Sequence, residues 1–424
     1  DISIGRISPT LCRGGIKLKI ITGGVTAAKG YQAAATAAGI KYTDRTDMAL
    51  LVSEVPAVSA GVFTRNVVKA APVKWDQRVV TEQECAQAVV INAGIANACT
   101  GAEGMEYCQK TAETVEELLG VPTGQVLVAS TGVIGMQLPM EKLSAGVKAL
   151  ASTLSESEES GREAACAIMT TDTKYKEVAV AFEVDGKTVT VGGMCKGSGM
   201  IHPNMCTMLS FITTDLAISK ELLQQALRED VDDTYNMISV DGDTSTNDTV
   251  LLLANGMAGN DKITKKDENY HKFTQALKLV NTTLAKKMAG DGEGATALFE
   301  TKVIHADTKE QAKILAKSVI CSSLTKAAIF GHDANWGRIL CALGYSGVDF
   351  NPEEIELYFQ SKSGQIQIYK DGVATDYSED EATKILSDEE VTVLVDMKMG
   401  EEEAAAWGCD LTYDYVKINA DYRS

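Results

Sequence analysis

The stretch "KGSGMIHPNMCTMLSFITTD", residues 196–215, places two glycines, a lysine, a histidine and a proline directly ahead of a dense apolar run. The run "MLSFITT" has the length and the aromatic and β-branched content of a buried strand. The chain reaches this stretch from a strand predicted to end near Gly192, then passes Gly193, Gly197 and Gly199. These glycines permit backbone conformations closed to other residues, so the loop can aim N–H groups at a ligand or approach it closely. Taken alone, such a segment also reads as a flexible turn. It is not a Walker A loop, because the lysine precedes "GSG" and the order GxxxxGK[ST] fails.

Thr207 stands where the loop becomes the strand. A threonine there can be a β-former or a surface cap. It can also be an N-terminal nucleophile. In that chemistry the hydroxyl attacks the preceding carbonyl, here of Cys206, and the peptide rearranges to an ester and hydrolyses. The freed α-amine, with an intrinsic pKa of about 7.7–8.0, then supplies the general base that a Thr hydroxyl lacks.

Around this stretch lies an ordinary globular composition, with 45% apolar and 23% charged residues in 424. The length is enough for a large core. The formal charge of −18 repels phosphate backbones, which argues against nucleic acid as a partner, while a local lysine can still attract a small anion. Ten cysteines include no C-x-x-C pair and no zinc-finger spacing with the four histidines. They are expected to be reduced, mostly buried thiols of a cytoplasmic protein. No apolar run reaches bilayer length, and "DISIGRISPTLCRGGIKLKII" lacks a signal-peptide core, so no membrane partner is expected. The chain opens on Asp1 where an initiator Met is usual, so its natural start is expected to be missing or altered.

No internal repeat or low-complexity segment is present, and no Pro- or Ser-rich linker marks a domain boundary. "EGMEYCQKTAETVEELLG" (103–120) carries a helical apolar spacing stopped by Gly120 and Pro122. Ser219 is a predicted N-cap for "KELLQQAL". "FTQALKLVNTTLAKKMAG" ends a helix at Gly290 with lysines in its last turns. Asp307 and Glu310 stand at capping-box spacing ahead of "AKILAKSVI". Asp185-Gly186 and Asp371-Gly372 predict hairpin turns, and "VLLLAN" and "VTVLVDM" predict buried strands. The C-terminal "LTYDYVKINADYRS" has an apolar, aromatic flank and is expected to pack. "DGDTSTND" (241–248) has alternating Asp241, Asp243 and Ser245, but Thr246 and Leu252 occupy the Gly and Glu positions of a calcium loop. It is read as an Asx/ST-turn network. Helices interleaved with hairpins predict an α+β layered architecture.

Longer blocks point to a family. "KGSGMIHPNMCTMLSF" resembles the processing site of the ornithine acetyltransferases, the bifunctional glutamate N-acetyltransferases of arginine biosynthesis, whose usual form is close to KGSGMI-x-PNMAT-ML. The likeness continues through "GGVTAAKGYQAAATAAGIK" (23–41), "NAGIANACTG" (92–101), "ASTGVIG" (129–135), "MTTDTK" (169–174), "DGDTSTND", "GDGEGAT" (290–296), "GHDANWGRI" (331–339) and "INADYRS" (418–424). It implies a layered α/β sandwich of the self-processing, N-terminal-nucleophile-like type. A cut between Cys206 and Thr207 would give an α piece of residues 1–206 and a β piece of residues 207–424.

The resemblance also implies roles. Thr207 matches the nucleophile, and Thr131 and Gly132 match the oxyanion-hole pair, although "TGVIG" alone reads as a strand-to-turn transition. Thr170, Lys196, Glu293, Asn419 and Ser424, with Thr207, match the substrate contacts. Lys196 offers a point charge to a carboxylate and Glu293 an anion to the ornithine ammonium. Without the family, these are a solvated lysine and glutamate and polar residues near a terminus. The implied ligands are N-acetylornithine, glutamate, ornithine and N-acetylglutamate, with acetyl-CoA as a second donor in some members. No cofactor and no metal are implied, and the implied assembly is α2β2 or larger. Two departures stand out. Cys206 replaces a common alanine, and Ile95 replaces a common Asn, which is expected to alter hydrogen bonding near the site. Two other classes remain open: an amidase or aminopeptidase in which water resolves the acyl-enzyme, and an amino-acid-binding protein that never cleaves itself.

Overall fold

The computed structural model of the chain describes residues 10–13, 16–202 and 208–421. In chain order the first half contains β1 (Thr10–Arg13), β2 (Ile16–Ile21), β3 (Tyr31–Thr36), β4 (Met48–Phe63), α1 (Ala71–Glu82), β5 (Cys85–Ile95), α2 (Gly101–Leu119), β6 (Val126–Val133), α3 (Met140–Ala151), α4 (Glu158–Ala167), β7 (Lys176–Val184) and β8 (Lys187–Lys196). The second half contains β9 (Leu209–Thr214), α5 (Lys220–Asp233), β10 (Ile238–Ser239), β11 (Thr249–Ala254), α6 (Glu268–Gly290), β12 (Leu298–Ala306), α7 (Lys309–Cys321), α8 (Ser323–Phe330) and α9 (Trp336–Gly344). It closes with β13 (Glu356–Ser361), β14 (Gly364–Lys370), β15 (Val373–Ala374), α10 (Glu379–Leu386), β16 (Glu390–Asp396), β17 (Glu402–Cys409) and α11 (Tyr413–Ala420).

Two mixed sheets organise these elements, as an α+β reading requires. One runs β1-β2-β7-β8-β9-β11-β4-β5-β6, with β3 on β4, and the other runs β10-β17-β12-β16-β13-β14-β15. In the first sheet β9 pairs with β8 and β11 pairs with β4, both antiparallel, and β9 and β11 run parallel. Strands that follow residue 207 therefore lie between strands that precede residue 203.

Both faces of that sheet are buried, which explains why every residue of β9 is buried and why the Ser210 and Thr213 hydroxyls within it are hydrogen-bonded to Tyr235 and to the Val25 carbonyl. Phe211 and Leu251 enter a core shared with α1–α4, whereas Ile212 and Leu252 enter a second core shared with α5, α6 and the other sheet. A strand covered on both faces favours a near-continuous apolar run, with any polar side chain in it hydrogen-bonded.

Local signals behave as expected where local physics decides. Gly120 ends α2 in the left-handed region at φ 67°, and the Ser219 side chain accepts from the Leu222 N–H at the start of α5. Asp185 and Gly186 both have positive φ, as do Asp371 and Gly372. Helix α6 ends at Gly290 as expected.

Four expectations are corrected. The cap of α7 is Thr308, whose side chain accepts from the Gln311 N–H, so the Asp307–Glu310 register was one residue early. Strand β8 does not stop near Gly192 but runs to Lys196. A Cβ at Gly192 would sit 2.0 Å from the Gly24 carbonyl oxygen, so glycine there serves backbone contact inside a strand, not a turn. Strand β16 buries one face only, because its residues alternate. Among the cysteines with described side chains, Cys108, Cys195 and Cys409 are buried while Cys99 and Cys341 are exposed, so "mostly buried" overstates their burial; all are free thiols. Helix α11 packs as expected, with the Tyr413 ring edge-on to Phe330, the Tyr415 hydroxyl on Asp241 and the Asn419 amide on Glu293, although it buries none of its residues fully. Among the described residues, no helix is long and apolar enough to cross a membrane.

Candidate active site

The site begins where parallel β5 and β6 end together. Gly132 lies opposite Gly94 with φ 128°, and a Cβ on it would sit 2.2 Å from the Gly94 carbonyl carbon. Only glycine fits such an approach. Ile95 pairs with both Thr131 and Val133, a bulge that turns the strand ends. The Asn247 amide ties them together, donating to the carbonyls of Ala96 at 2.6 Å and Ser130 at 2.7 Å. Ile95 itself is buried in the core under α1–α4. Asn92 donates to its carbonyl at 2.9 Å and accepts from the Ser130 hydroxyl at 2.6 Å. With Ile95 at this position, its own carbonyl and those of Ala96 and Ser130 remain hydrogen-bonded.

Lys196, the last residue of β8, points at the same place. Its Nζ lies 2.7 Å from Thr170 Oγ1, 3.5 Å from Thr131 Oγ1 and 3.7 Å from Asp172 Oδ2. Burial lowers the Lys196 pKa, and Asp172 opposes that shift. Behind it lies a pair of buried carboxylates that sequence reasoning did not single out. Lys176 Nζ reaches Asp172 Oδ1 at 2.8 Å and Asp291 Oδ2 at 2.6 Å. For Asp172, burial works against the charged form, but Lys176 and then Lys196 overcome it, and its pKa falls below the ordinary value. Lys176 meets the same burial penalty, yet its two carboxylates raise its pKa.

The glycine-rich loop leaves β8 over this floor. The Gly197 N–H donates to Asp172 Oδ1 at 2.7 Å, and Ser198 Oγ donates to the Asp291 carbonyl at 2.7 Å. A Cβ on Gly199 would meet the Glu293 carboxyl group at 2.4 Å. Asp241 accepts the Met200 and Ile201 N–H groups at 2.6 and 2.8 Å and a 3.2 Å bond from the Tyr415 hydroxyl. Within the segment 241–248, the Asp243 N–H donates to Asp241 Oδ1 and the Asn247 N–H to Ser245 Oγ, the Asx and ST turns its residue types predict. From α11, Asn419 donates to Glu293 Oε2 at 2.7 Å.

A cavity of about 210 Å³ opens among these groups, lined by Thr131, Gly132, Thr170, Lys196, Glu293 and Asn419. Met208 and Leu209, which follow Thr207 in the chain, also line it. Cys206, Thr207 and Ser424 lie outside the described residues. Asp172, Lys176 and Asp291 escaped sequence reasoning because the pairing of Lys176 with Asp291 spans 115 residues. Asp172 and Lys176 did stand in the sequence at a spacing of four, but in a loop, where that spacing carries no meaning.

The fold and the cavity define a layered α+β enzyme whose polar pocket suits a small charged metabolite. Comparison with known proteins narrows this. The ArgJ family pattern matches residues 32–424. The arginine biosynthesis bifunctional protein ArgJ of Symbiobacterium thermophilum is 52% identical over 406 residues, covering 95% of this chain and 99% of that protein. The protein of the same name from Thermotoga neapolitana is 49% identical over 381 residues, covering 90% and 95%. Among solved structures, the ornithine acetyltransferase of Mycobacterium tuberculosis complexed with ornithine is 43% identical, covering 45% of this chain and 99% of that one, with a TM-score of 0.41. The chain belongs to the ArgJ family, the bifunctional enzymes of arginine biosynthesis.

Proposed function

We propose that this protein transfers an acetyl group from N-acetylornithine to glutamate on the hydroxyl of Thr207, after cutting its own chain between Cys206 and Thr207. One observation carries the reading. Six side chains or glycines assigned from sequence line a single cavity, and the residues directly after Thr207 complete its wall.

The steps follow from the groups present. The freed α-amine of Thr207 takes the hydroxyl proton as Oγ attacks the acetyl carbonyl. The Thr131 hydroxyl and Gly132 N–H stabilise the oxyanion. The C–N bond breaks, the proton passes to the departing amine, and ornithine leaves an acetyl ester on Thr207. The amine of glutamate then attacks that ester and releases N-acetylglutamate. Lys196 supplies positive charge for a carboxylate or the oxyanion, and Glu293, oriented by Asn419, accepts the ammonium. Thr170 and Ser424 complete the substrate contacts. No cofactor or metal takes part.

The α piece, 1–206, and the β piece, 207–424, would stay together because β9 and β11 are hydrogen-bonded between β8 and β4. We place the enzyme in the cytoplasm as an α2β2 assembly. Hydrolysis is not favoured, since the relatives are named for a biosynthetic pathway.

The decisive experiment is N-terminal sequencing of the purified protein with an acetyl-transfer assay. A fragment starting Thr-Met-Leu-Ser and glutamate-dependent release of ornithine are expected. Thr207→Ala should remain a single chain and lose transfer by at least about a thousandfold. Acetate release independent of glutamate would assign the protein to the amidases. A wild-type chain that stays whole and transfers nothing would overturn the reading.

A further inference from the structure

Beneath Lys196, the residues Asp172, Lys176 and Asp291 continue a line of alternating charge, and neither the family resemblance nor the proposed steps assign these three. Resting on the acetyl-transfer reading, we propose that Asp172, backed by Lys176 and Asp291, is a positioning residue that keeps the Lys196 ammonium aimed at the hydroxyls of Thr131 and Thr170.

Apart from Lys176, the contacts of Asp172 run to segments that line the pocket. Its Oδ1 accepts Lys176 Nζ and the Gly197 N–H, and its Oδ2 accepts the Thr170 N–H at 3.1 Å and faces Lys196 at 3.7 Å. One carboxylate thus fixes the residue before the glycine loop, the loop itself and the neighbouring threonine. Asp291 repeats the pattern. It accepts Lys176 and the Thr173 and Lys174 N–H groups, while its carbonyl accepts Ser198 and its segment continues to Glu293. The line therefore joins the Lys196 end of the pocket to the Glu293 end.

Stability alone does not account for it. A buried ion pair repays its desolvation poorly, and apolar residues of similar volume often do as well. What apolar residues cannot do is hold a lysine protonated in a site where burial favours the neutral amine. The charged groups facing Lys196 are Asp172 in the segment after α4, Lys176 on β7, Glu293 in the turn after α6, and Asp248 across the cavity ahead of β11. Arg45 lies close by, bonded to the carbonyls of Met169 and Thr170. Of these, Asp172 is the carboxylate nearest the Lys196 ammonium.

Two substitutions test this through opposite signs. Removing the carboxylate in Asp172→Asn takes away a negative neighbour, so Lys196 loses its proton at lower pH. Removing the cation in Lys176→Met takes away a positive neighbour, so Lys196 keeps its proton to higher pH. Competitive labelling with acetic anhydride across pH, read by mass spectrometry of the Lys196 peptide, reports its protonation without reference to turnover. We expect the labelling midpoint to move down by about one pH unit in the first variant and up by about as much in the second. The alkaline limb of kcat should follow in the same directions, so that Asp172→Asn loses activity at lower pH than the wild type and Lys176→Met holds it to higher pH.

A merely structural role would lower folded yield in both variants and move neither midpoint. Midpoints that stay with the wild type, or move together, overturn the proposal. Should one variant not fold, the other decides. Asp291→Asn, one link further away, provides a third reading with a smaller downward shift. The two readings fail separately. Midpoints that move as expected in a protein without transfer activity sink the reaction and keep the charge line. Transfer with unmoved midpoints does the reverse.

Discussion

Two lysines in this protein each bridge two carboxylates, and their surroundings differ. Lys176, on the floor of the cavity, sits 2.8 Å from Asp172 and 2.6 Å from Asp291 with a side chain 1% exposed. Lys398, on the second sheet's rim, sits 2.7 Å from Asp396 and 3.3 Å from Glu356 with a side chain 41% exposed. Water screens the second bridge, so little stability depends on it. The first is sealed, so its members need one another. A third group shows what burial does without a cation in contact. Asp230 on α5 is buried, with the Asn281 amide as its side-chain partner at 2.5 Å. Burial pushes its pKa up to about 7 against that hydrogen bond. Asp172 is as deep and stays charged. The fold keeps buried charge beside the cavity and lets it neutralise in the helical layer behind.

The largest effect that could break this contrast is Lys176→Met. It strands two buried carboxylates and should cost about 3–5 kcal/mol in chemical denaturation at neutral pH. A loss below about 1 kcal/mol would place Lys176 in the same class as Lys398. Next in size is Thr131→Val, which removes a hydroxyl at the end of the charged line. We expect kcat to fall about a hundredfold with the thermal midpoint unchanged. A matching fall in stability would make Thr131 a structural residue.

Asp230→Asn sharpens the third member. The folded pKa of Asp230 lies above its ordinary value of 3.8, so between about pH 4 and pH 7 the native state binds more protons than the unfolded one. Its contribution to stability therefore falls as pH rises through that window. The variant should lose this slope and gain about 2 kcal/mol at pH 8, with transfer unaffected. Asp172 has the opposite sign. Its lowered folded pKa contributes stability above the unfolded pKa, and this is lost as pH falls through the folded value. Lys398→Met is the smallest effect, within about 0.5 kcal/mol of the wild type by denaturation.

Legibility followed the range of the interaction. Ser219 and Gly120 were readable because a cap or a left-handed stop is settled within one helical turn. The two Asp-Gly hairpins were readable because their positive φ values belong to the turn itself. Gly192 was misread as the end of a strand because nothing beside it in the chain shows that the Gly24 backbone lies against it. The cap of α7 slipped by one residue because Asp307 and Thr308 are both good caps. The site residues were readable through family blocks, whereas composition and spacing alone left them as loop lysines, turn threonines and terminal polar groups.

The sequence by itself determined helices α2, α5, α6 and α7, the two Asp-Gly hairpins, the buried strand after residue 207 and, through long matching blocks, the family. Those follow from backbone preference, apolar periodicity and residue order, which are local quantities. Only the tertiary structure decided that β9 and β11 are enclosed between β8 and β4, that Gly132 must lie against Gly94, and that Lys196 rests on Asp172, Lys176 and Asp291. These depend on which distant segments are brought within a few ångströms and sealed from water, and the strength of a charge or the need for a glycine is set by that enclosure.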